Sequence, residues 1–108
     1  MRVLFDQATP VPLRRYLKGH NVGTTAQRGW DRLRNGDLLK AAEEDGFDVL
    51  VTTDKNMRFQ QNLSTRKIAI VVLGKGNWPL IEPHVQQVVA AVNAASPGSF
   101  TEVDIAFA

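Results

Sequence analysis

The sequence predicts an α/β domain in which a mostly parallel sheet of four to five strands lies between two layers of helices. Three short apolar runs, at residues 3–5, 49–51 and 68–73, show no alternation with polar residues, which is typical of strands buried on both faces. Segments of helical periodicity separate these runs. Strands that alternate with helices are joined by crossovers into a parallel sheet, so this order predicts a three-layer α/β/α fold.

The first quarter of the chain is predicted to form two strands and a helix. The first strand covers residues 2–6, and Thr9 is expected to cap the helix after it, with Pro10 in the first turn, where no N–H is required. Gly19 suits the left-handed position that follows many helices. Residues 20–25 are predicted to form a second, weaker strand.

The middle of the chain is predicted to hold a loop, a helix and a buried strand. Residues 26–36 mix basic and aromatic side chains and are interpreted as a loop. Asn35 is expected to cap a helix over about residues 36–45, which Gly46 ends. The buried strand at residues 49–51 follows directly.

The last part of the chain is predicted to begin with a short helix over residues 55–63 and the strongest strand, residues 68–73. Pro79 then starts the longest helix, and residues 100–107 alternate apolar with polar side chains, as an edge strand does. The longest helix carries an amphipathic stripe at Ile81, Val85, Val88, Val92 and Ala95.

Composition limits the class of protein. A chain of 108 residues with 44% hydrophobic and 22% charged residues is typical of a single globular domain, here residues 1–108. It contains no cysteine, which excludes disulfides and thiolate metal sites and fits a reducing compartment. No apolar run is long enough to cross a bilayer and no signal pattern opens the chain, so we expect a cytoplasmic protein that does not enter a membrane.

Charge is distributed unevenly along the chain. All 13 lysines and arginines lie in residues 1–75, where eight acids leave a net charge of +5, whereas residues 76–108 carry three acids and no Lys or Arg. A basic field of this size attracts polyanions such as nucleic acid, although solubilising surface charge explains it equally well.

Three aspartates form the candidate chemical site. Asp6 and Asp54 each come just after an apolar strand, and parallel strands end at one edge of a sheet, where such folds bind ligands. Asp37 lies in the first turn of the helix that leads back to the second of these strands. Carboxylates without His or Cys favour Mg²⁺ or Mn²⁺ over zinc, and such ions promote phosphodiester hydrolysis without a protein nucleophile. Each aspartate also has a simpler explanation: a turn for Asp6, a helix dipole for Asp37 and an N-cap for Asp54.

Four stretches of the chain follow one another in a characteristic order and spacing. The stretches are Leu4-Phe5-Asp6, followed by Pro10, Leu13 and Leu17; Gly19-His20-Asn21-Val22; Asn35-Gly36-Asp37-Leu38-Leu39; and Val49-Leu50-Val51-Thr52-Thr53-Asp54-Lys55-Asn56. Together they resemble the short PIN-like proteins of the DUF5615 group, which are reduced relatives of PIN-domain ribonucleases, many of them toxins of toxin–antitoxin pairs. The resemblance covers nearly the whole chain and is strongest from residue 3 to residue 63.

The resemblance implies a PIN-like fold, RNA as the substrate and a small antitoxin protein as the partner. Position by position it assigns Asp6, Asp37 and Asp54 to catalysis and, together with Asn56, to the binding of Mg²⁺ or Mn²⁺. Members of the group often carry one acid directly after the first-strand aspartate and another two residues beyond the third-strand aspartate, where this chain has Gln7 and Asn56. Amide oxygens also coordinate hard cations, but each lost charge weakens binding, so we expect a single, weakly held ion.

Basic and aromatic residues near these positions are candidates for binding RNA. Trp30 and Trp78 are candidates for base stacking, or else they cover the core. The basic candidates would meet a phosphate backbone if their loops gather at the acidic edge, and a solvated surface is the alternative for each. They are Arg28, Arg32, Arg34, Lys55, Arg58 and Lys75.

Other functions fit the same sequence. The amides Gln7 and Asn56 suit a catalytically weakened PIN-like module that binds protein or nucleic acid. A receiver phosphorylated on aspartate, or a phosphatase-like domain, shares acids at strand ends, but here the first strand lacks a paired acid and no strand-terminal lysine motif is evident. The apolar C-terminal strand also suits pairing with a second copy of the chain in a homodimer.

Overall fold

The centre of the protein is a five-stranded sheet in which every neighbouring pair of strands is parallel. The structure is a computed structural model that describes residues 1–55 and 66–105. The predicted α/β fold, with a parallel sheet between layers of helices, is confirmed. The strands lie in the order β2, β1, β3, β4, β5 and are β1 (Arg2–Phe5), β2 (Asn21–Thr24), β3 (Val49–Thr52), β4 (Ala69–Val72) and β5 (Phe100–Glu102).

Helical segments connect the strands. Within the described ranges, none of them is long and apolar enough to cross a membrane. They are a 3₁₀ helix at Val11–Tyr16, α1 (Thr25–Arg28), α2 (Asn35–Glu44), α3 (Trp78–Ile81), a second 3₁₀ helix at Glu82–His84 and α4 (Val85–Asn93).

Each face of the sheet is covered by its own apolar layer. On one face, side chains of α4 and of the first 3₁₀ helix pack against alternate strand residues. On the other face, α2 and Phe47 pack against the strand residues that point the opposite way. Strand β1 shows this division, because Val3 and Phe5 belong to the first layer and Leu4 to the second. Burial on both faces explains why the strands are continuously apolar in sequence.

The connections place a topological switch point between β1 and β3. From β1 the chain moves to β2 on one side, and β3, β4 and β5 then extend the sheet on the other side of β1. We call the edge at which the strands end the carboxyl edge. In open α/β sheets, ligands usually bind in the crevice outside this edge, at the point where the strand order reverses.

The first helix differs from the prediction in its cap. Val11–Tyr16 forms a 3₁₀ helix with Pro10 as its N-cap, and no side chain caps it. Thr9 is buried and instead donates its hydroxyl to the carbonyl of Val51 (2.9 Å). A threonine hydroxyl can accept a hydrogen bond from an N–H at a helix N-terminus or donate one to a nearby carbonyl. In this fold the Thr9 hydroxyl donates to a carbonyl of the neighbouring strand. Gly19 has a φ of 83°, as its predicted left-handed conformation requires.

The predicted loop at residues 26–36 contains part of a short helix. The hydroxyl of Thr24 accepts from the N–H of Gln27 (3.1 Å), and the Gln27 side chain accepts from the N–H of Thr24 (3.2 Å). This reciprocal capping box starts α1, and its Thr-x-x-Gln pattern is present in the sequence. The next helix, α2, starts at Asn35 with Arg34 as its N-cap, one residue earlier than predicted.

The last predicted helix is interrupted. The chain is helical from Trp78 to Asn93, but a 3₁₀ turn at Glu82–His84 separates α3 from α4. Pro83 explains the break, because proline has no N–H for the helical hydrogen bond and its ring crowds the preceding turn. The apolar stripe is buried as predicted at Ile81, Val85, Val88 and Val92, whereas Ala95, its last predicted member, lies beyond the end of α4 and is partly buried.

Two further predictions fall on residues that are described only in part. Apart from Lys55 itself, the predicted helix over residues 55–63 lies outside the described residues. Strand β5 is an edge strand, as predicted, but it ends at Glu102. Beyond it Val103 and Ile105 remain buried, whereas Phe107 lies outside the described residues.

Candidate functional site

Asp6 and Asp54 lie at the carboxyl edge, just beyond the two strands that flank the switch point. Asp6 follows β1, and its N–H donates to the carbonyl of Val51 in β3 (2.9 Å), which extends the pairing of these strands by one residue. Asp54 comes two residues after the end of β3. Both aspartates are partly buried. The fold therefore brings the ends of the two acidic strands together.

The side chain of Thr52 links these two positions. Thr52 is fully buried; its hydroxyl donates to Oδ2 of Asp6 (2.8 Å), and its Oγ1 accepts from the N–H of Asp54 (3.1 Å). The other oxygen of Asp6, Oδ1, accepts from the N–H of Gln7 (2.7 Å). A carboxylate offers about four acceptor positions. Asp6 is therefore held in one orientation and keeps acceptor positions for a cation.

The loop after β4 packs closely against the same edge. A Cβ on Gly76 would lie 3.0 Å from the carbonyl oxygen of Ala8, in the loop that follows Asp6. Gly74 has a φ of 75°, and a Cβ on it would lie 2.9 Å from Cε of Lys55. The two glycines therefore allow the backbone after β4 to approach the loops that leave β1 and β3.

The third aspartate, Asp37, is exposed in the first turn of α2. Because α2 leads back to the start of β3, this turn lies toward the carboxyl edge. Among residues 1–55 and 66–105, however, no three His, Cys, Asp or Glu side chains form a group that could hold a metal ion. Asp6 and Asp54 follow neighbouring strands, so they are the two carboxylates whose backbone positions the sheet places side by side.

This donor pair suits a hard cation that takes its remaining ligands from elsewhere. Mg²⁺ is commonly bound by one or two carboxylates, with waters and substrate phosphates completing its coordination. Asp6 and Asp54 supply such a pair from neighbouring strands. The residues present fit Mg²⁺ or Mn²⁺ in this form, while Asn56, the remaining predicted ligand, lies outside the described residues.

The basic candidates for binding RNA lie in different parts of the molecule. Lys55 and Lys75 are in the loops that leave β3 and β4 at the carboxyl edge. Arg32 and Arg34 are exposed in the segment before α2, and Arg58 lies outside the described residues. Of these candidates, the two lysines lie in the loops that directly follow β3 and its neighbour β4.

The guanidinium of Arg28 is held in a cluster with Asp45 and Phe47. Its Nη1 lies 2.6 Å from Oδ2 of Asp45, which also pairs with Arg2 at 3.1 Å. The guanidinium groups of Arg28 and Arg2 lie 5.0 and 4.3 Å from the ring centroid of Phe47. Arg2 begins β1, and Asp45 and Phe47 lead into β3, so the partners of Arg28 come from the edge at which the strands begin.

The two tryptophans pack against the core. The ring of Trp78 lies 5.9 Å from that of Tyr16 and covers the layer formed by α4. Trp30 meets Phe47 edge to face at 6.1 Å and covers the layer formed by α2. Both rings are partly buried, which favours the core-covering role over the base-stacking role for each.

A crevice opens at the carboxyl ends of β4 and β5. Its volume is about 360 Å³, near the lower end of the range for small-molecule sites, roughly 300–1,000 Å³. Among the described residues it is lined by Lys55, residues 72–75 and residues 102–105. Lys55 directly follows Asp54 and therefore joins the crevice to the acidic pair.

Thr52, Glu102 and Asp104 belong to the carboxyl edge but are not among the residues predicted for the site. For Thr52 the sequence does contain a signal: a threonine that ends an apolar run, two residues before an aspartate, needs a buried partner for its hydroxyl. For Glu102 and Asp104 the sequence contains no such signal, because charged residues that alternate with apolar ones are common on any solvent-facing edge strand.

Comparison with known proteins yields no match: no family model fits the chain, and no curated protein or solved structure is significantly similar to it. The assignment of a function therefore depends on the geometry of the carboxyl edge and on the motifs of the sequence.

Proposed function

We propose that this chain is a metal-dependent endoribonuclease of PIN-like type and the toxin of a toxin–antitoxin pair. The observation that carries the proposal is the position of Asp6 and Asp54 beyond β1 and β3, the strands that flank the switch point. Thr52 links the two through hydrogen bonds of 2.8 and 3.1 Å. A pair of carboxylates in the preferred ligand crevice of such a sheet suits phosphodiester hydrolysis with a hard cation.

In this proposal the side chains of the carboxyl edge have separate tasks. Asp6 and Asp54 would hold Mg²⁺ or Mn²⁺, and Thr52 orients Asp6 through its Oδ2. The ion, when bound, supplies Lewis-acid activation of water and neutralises charge on the leaving oxygen. Lys55 and Lys75 attract the phosphate backbone of the substrate to the same edge.

The charge distribution supports RNA as the substrate. Residues 1–75, which contain both aspartates of the pair and both lysines, carry a net charge of +5. Attraction of this kind brings a polyanion to the protein without selecting its sequence. The family resemblance adds a small antitoxin protein, whose bound segment would cover the carboxyl edge and block access to Asp6 and Asp54.

RNA cleavage by the purified protein tests this proposal. Mixed RNA is incubated with and without Mn²⁺ and with wild type, Asp6→Asn and Asp54→Asn. The matched control is Asp31→Asn, because Asp31 is exposed in the segment between α1 and α2. We expect metal-dependent cleavage by wild type and control, and a loss of roughly 100-fold or more in both site variants. Equal cleavage by all four proteins would identify a contaminating nuclease and contradict the proposal.

A second candidate is a catalytically weakened PIN-like module that binds RNA or a protein without cleaving RNA. It is favoured by amides at two positions, residues 7 and 56, where the resembling family often carries acids. An amide at Gln7 follows the first aspartate and adds no charge to the pair. If the wild-type protein binds RNA in the presence of Mn²⁺ but does not cleave it, this result would support the binding module and exclude the nuclease.

A further inference from the structure

The crevice at the carboxyl ends of β4 and β5 is lined by charges of both signs. Lys55 and Lys75 come from the loops after β3 and β4, whereas Glu102 and Asp104 come from the end of β5 and the residues after it. Across the sheet, the lysines therefore lie nearer the aspartate pair, and the β5 acids lie at the outer side. Neighbouring strands are about 4.8 Å apart, which places β5 within about 10 Å of β3.

Lys55 reaches the crevice by crossing the backbone of Gly74. A Cβ on Gly74 would lie 2.9 Å from Cε and 3.7 Å from Nζ of Lys55, so a side chain at this position would occupy the path of the lysine. Lys55 follows Asp54 and also lines the crevice. Its side chain therefore forms part of the crevice wall, one residue along the chain from Asp54, where it can bind a phosphate adjacent to a metal-bound phosphodiester.

Glu102 and Asp104 lie on a segment of backbone that is hydrogen-bonded to the sheet. The N–H of Val103 donates to the carbonyl of Val72 (2.8 Å) and extends the pairing of β4 and β5 by one residue. Val103 and Ile105 are buried, while Glu102 and Asp104, which alternate with them, are exposed. Carboxylates accept hydrogen bonds from hydroxyl groups and repel phosphates, so this side of the crevice suits the hydroxyls of a sugar.

We propose that the crevice holds the ribose of the nucleotide next to the cleaved phosphodiester, with its phosphate at Lys55 and its hydroxyls at Glu102 and Asp104. This inference rests on the proposed function. The crevice volume of about 360 Å³ suits one nucleotide unit. The 2′-hydroxyl is the group by which proteins distinguish RNA from DNA, and a carboxylate that accepts from it makes the site selective for ribonucleotides.

Nucleotide binding in EDTA tests the crevice separately from catalysis. Isotope-labelled wild-type protein is titrated with cytidine monophosphate, its 2′-deoxy analogue or inorganic phosphate, and backbone amide shifts are followed by NMR. We expect cytidine monophosphate to shift the amides of Leu73, Val103 and Ile105. It should bind roughly three- to tenfold more tightly than the deoxy analogue, the effect of one hydrogen bond. Equal affinity for the two nucleotides, or no shift at these amides, would overturn the inference.

Variants separate the two ends of the crevice. Lys55→Ala should weaken binding of both nucleotides equally, and Lys55→Arg should restore it. Glu102→Ala combined with Asp104→Ala should make the affinities of the ribonucleotide and its deoxy analogue equal, because the carboxylates that accept from the 2′-hydroxyl are gone. Lys67→Ala and Glu44→Ala are the matched controls, since both residues are exposed and outside the crevice. A ribonucleotide preference that survives in the double acid variant would contradict the assigned role of these carboxylates.

Failure of this inference can be distinguished from failure of the proposed function. Metal-dependent RNA cleavage without nucleotide binding in the crevice would support the proposed nuclease function and exclude the proposed ribose site. Selective binding of cytidine monophosphate in EDTA, together with no cleavage of RNA in Mn²⁺, would support the ribonucleotide site and exclude the proposed nuclease function.

Discussion

The hydroxyl of Thr52 donates a hydrogen bond of 2.8 Å to Oδ2 of Asp6, and this contact joins the ends of β3 and β1 at the switch point. Thr52 is fully buried, whereas Asp6 is only partly buried. A buried hydroxyl without a partner costs free energy, so the bond stabilises the strand end as well as the orientation of the carboxylate. The core of the sheet and the candidate site therefore share one side chain.

Replacement of Thr52 by valine removes the hydroxyl and nearly preserves the side-chain shape. We expect Thr52→Val to lower the free energy of unfolding by about 1 kcal/mol. Cleavage of RNA should slow by roughly ten- to a hundredfold, because Asp6 loses the bond that orients it. Urea denaturation and the cleavage assay measure the two effects, with Thr101→Val, a half-buried position in β5, as the control. Unchanged cleavage in Thr52→Val would show that Asp6 does not depend on this bond.

Thr25 presents the opposite case. The residue is 1% exposed, and its hydroxyl has no hydrogen-bond partner among the described residues. Thr25→Val removes an unpaired buried polar group, so we expect the free energy of unfolding to stay constant or to rise by up to about 1 kcal/mol. The same urea series measures it beside Thr52→Val. A loss of stability as large as that of Thr52→Val would reveal a partner of Thr25 outside residues 1–55 and 66–105.

Arg28 and Lys55 are both candidates for binding RNA, but the structure separates their roles. Each change to alanine removes one positive charge, so the overall charge of the two variants is equal. For a single-stranded RNA, we expect Lys55→Ala to reduce the slope of log affinity against log salt by about 0.7, the effect of one phosphate contact. Arg28→Ala should leave this slope unchanged and lower the free energy of unfolding by about 1 kcal/mol, because it loses Asp45 and Phe47.

Salt titrations of RNA binding, by fluorescence anisotropy, and urea denaturation provide these measurements. Asp45→Ala is an internal check, since it breaks the ion pairs with both Arg2 and Arg28 and should lower stability without removing a positive charge. A reduced salt slope in Arg28→Ala would show that this arginine leaves its cluster to contact RNA.

Gly76 determines how closely two loops of the carboxyl edge approach each other. Its Cβ would lie 3.0 Å from the carbonyl oxygen of Ala8, so Gly76→Ala must displace one of the two loops by a few tenths of an ångström. We expect cleavage to fall by roughly tenfold and the free energy of unfolding to fall by about 1 kcal/mol. Asn77→Ala is the neighbouring control, since Asn77 is exposed and makes no side-chain cap to α3. Equal cleavage by the two variants would contradict this role of Gly76.

The sheet is largely predictable from the sequence because its central strands are buried on both faces. The apolar runs at residues 49–51 and 68–73 do not alternate, and this pattern identifies β3 and β4 without knowledge of their neighbours. The helical pattern after Trp78 predicts which face is buried but not the break at Pro83. Hydrophobic periodicity indicates which side chains are buried. It does not indicate where a proline interrupts the backbone hydrogen bonds of a helix.

The candidate site is predictable only in part. The ends of parallel strands meet at one edge, which is why sequence position alone locates Asp6 and Asp54. The partners of Thr9 and Arg28 are not predictable in this way. Each side chain can bind several groups, and tertiary packing selects the carbonyl of Val51 for the first and the carboxylate of Asp45 for the second. The local sequence pattern therefore predicts the position of a residue in the fold, but not the group that its side chain contacts.

Asp37 provides the sharpest test of how many carboxylates the proposed site uses. It is exposed in the first turn of α2, where it interacts favourably with the helix dipole. We therefore expect Asp37→Asn to lower the free energy of unfolding by about 0.5 kcal/mol and to retain metal-dependent cleavage close to that of Asp31→Asn. Asp6→Asn, assayed beside it, should be inactive. If Asp37→Asn is as inactive as Asp6→Asn and keeps its stability, the expectation is wrong and the catalytic site requires all three carboxylates.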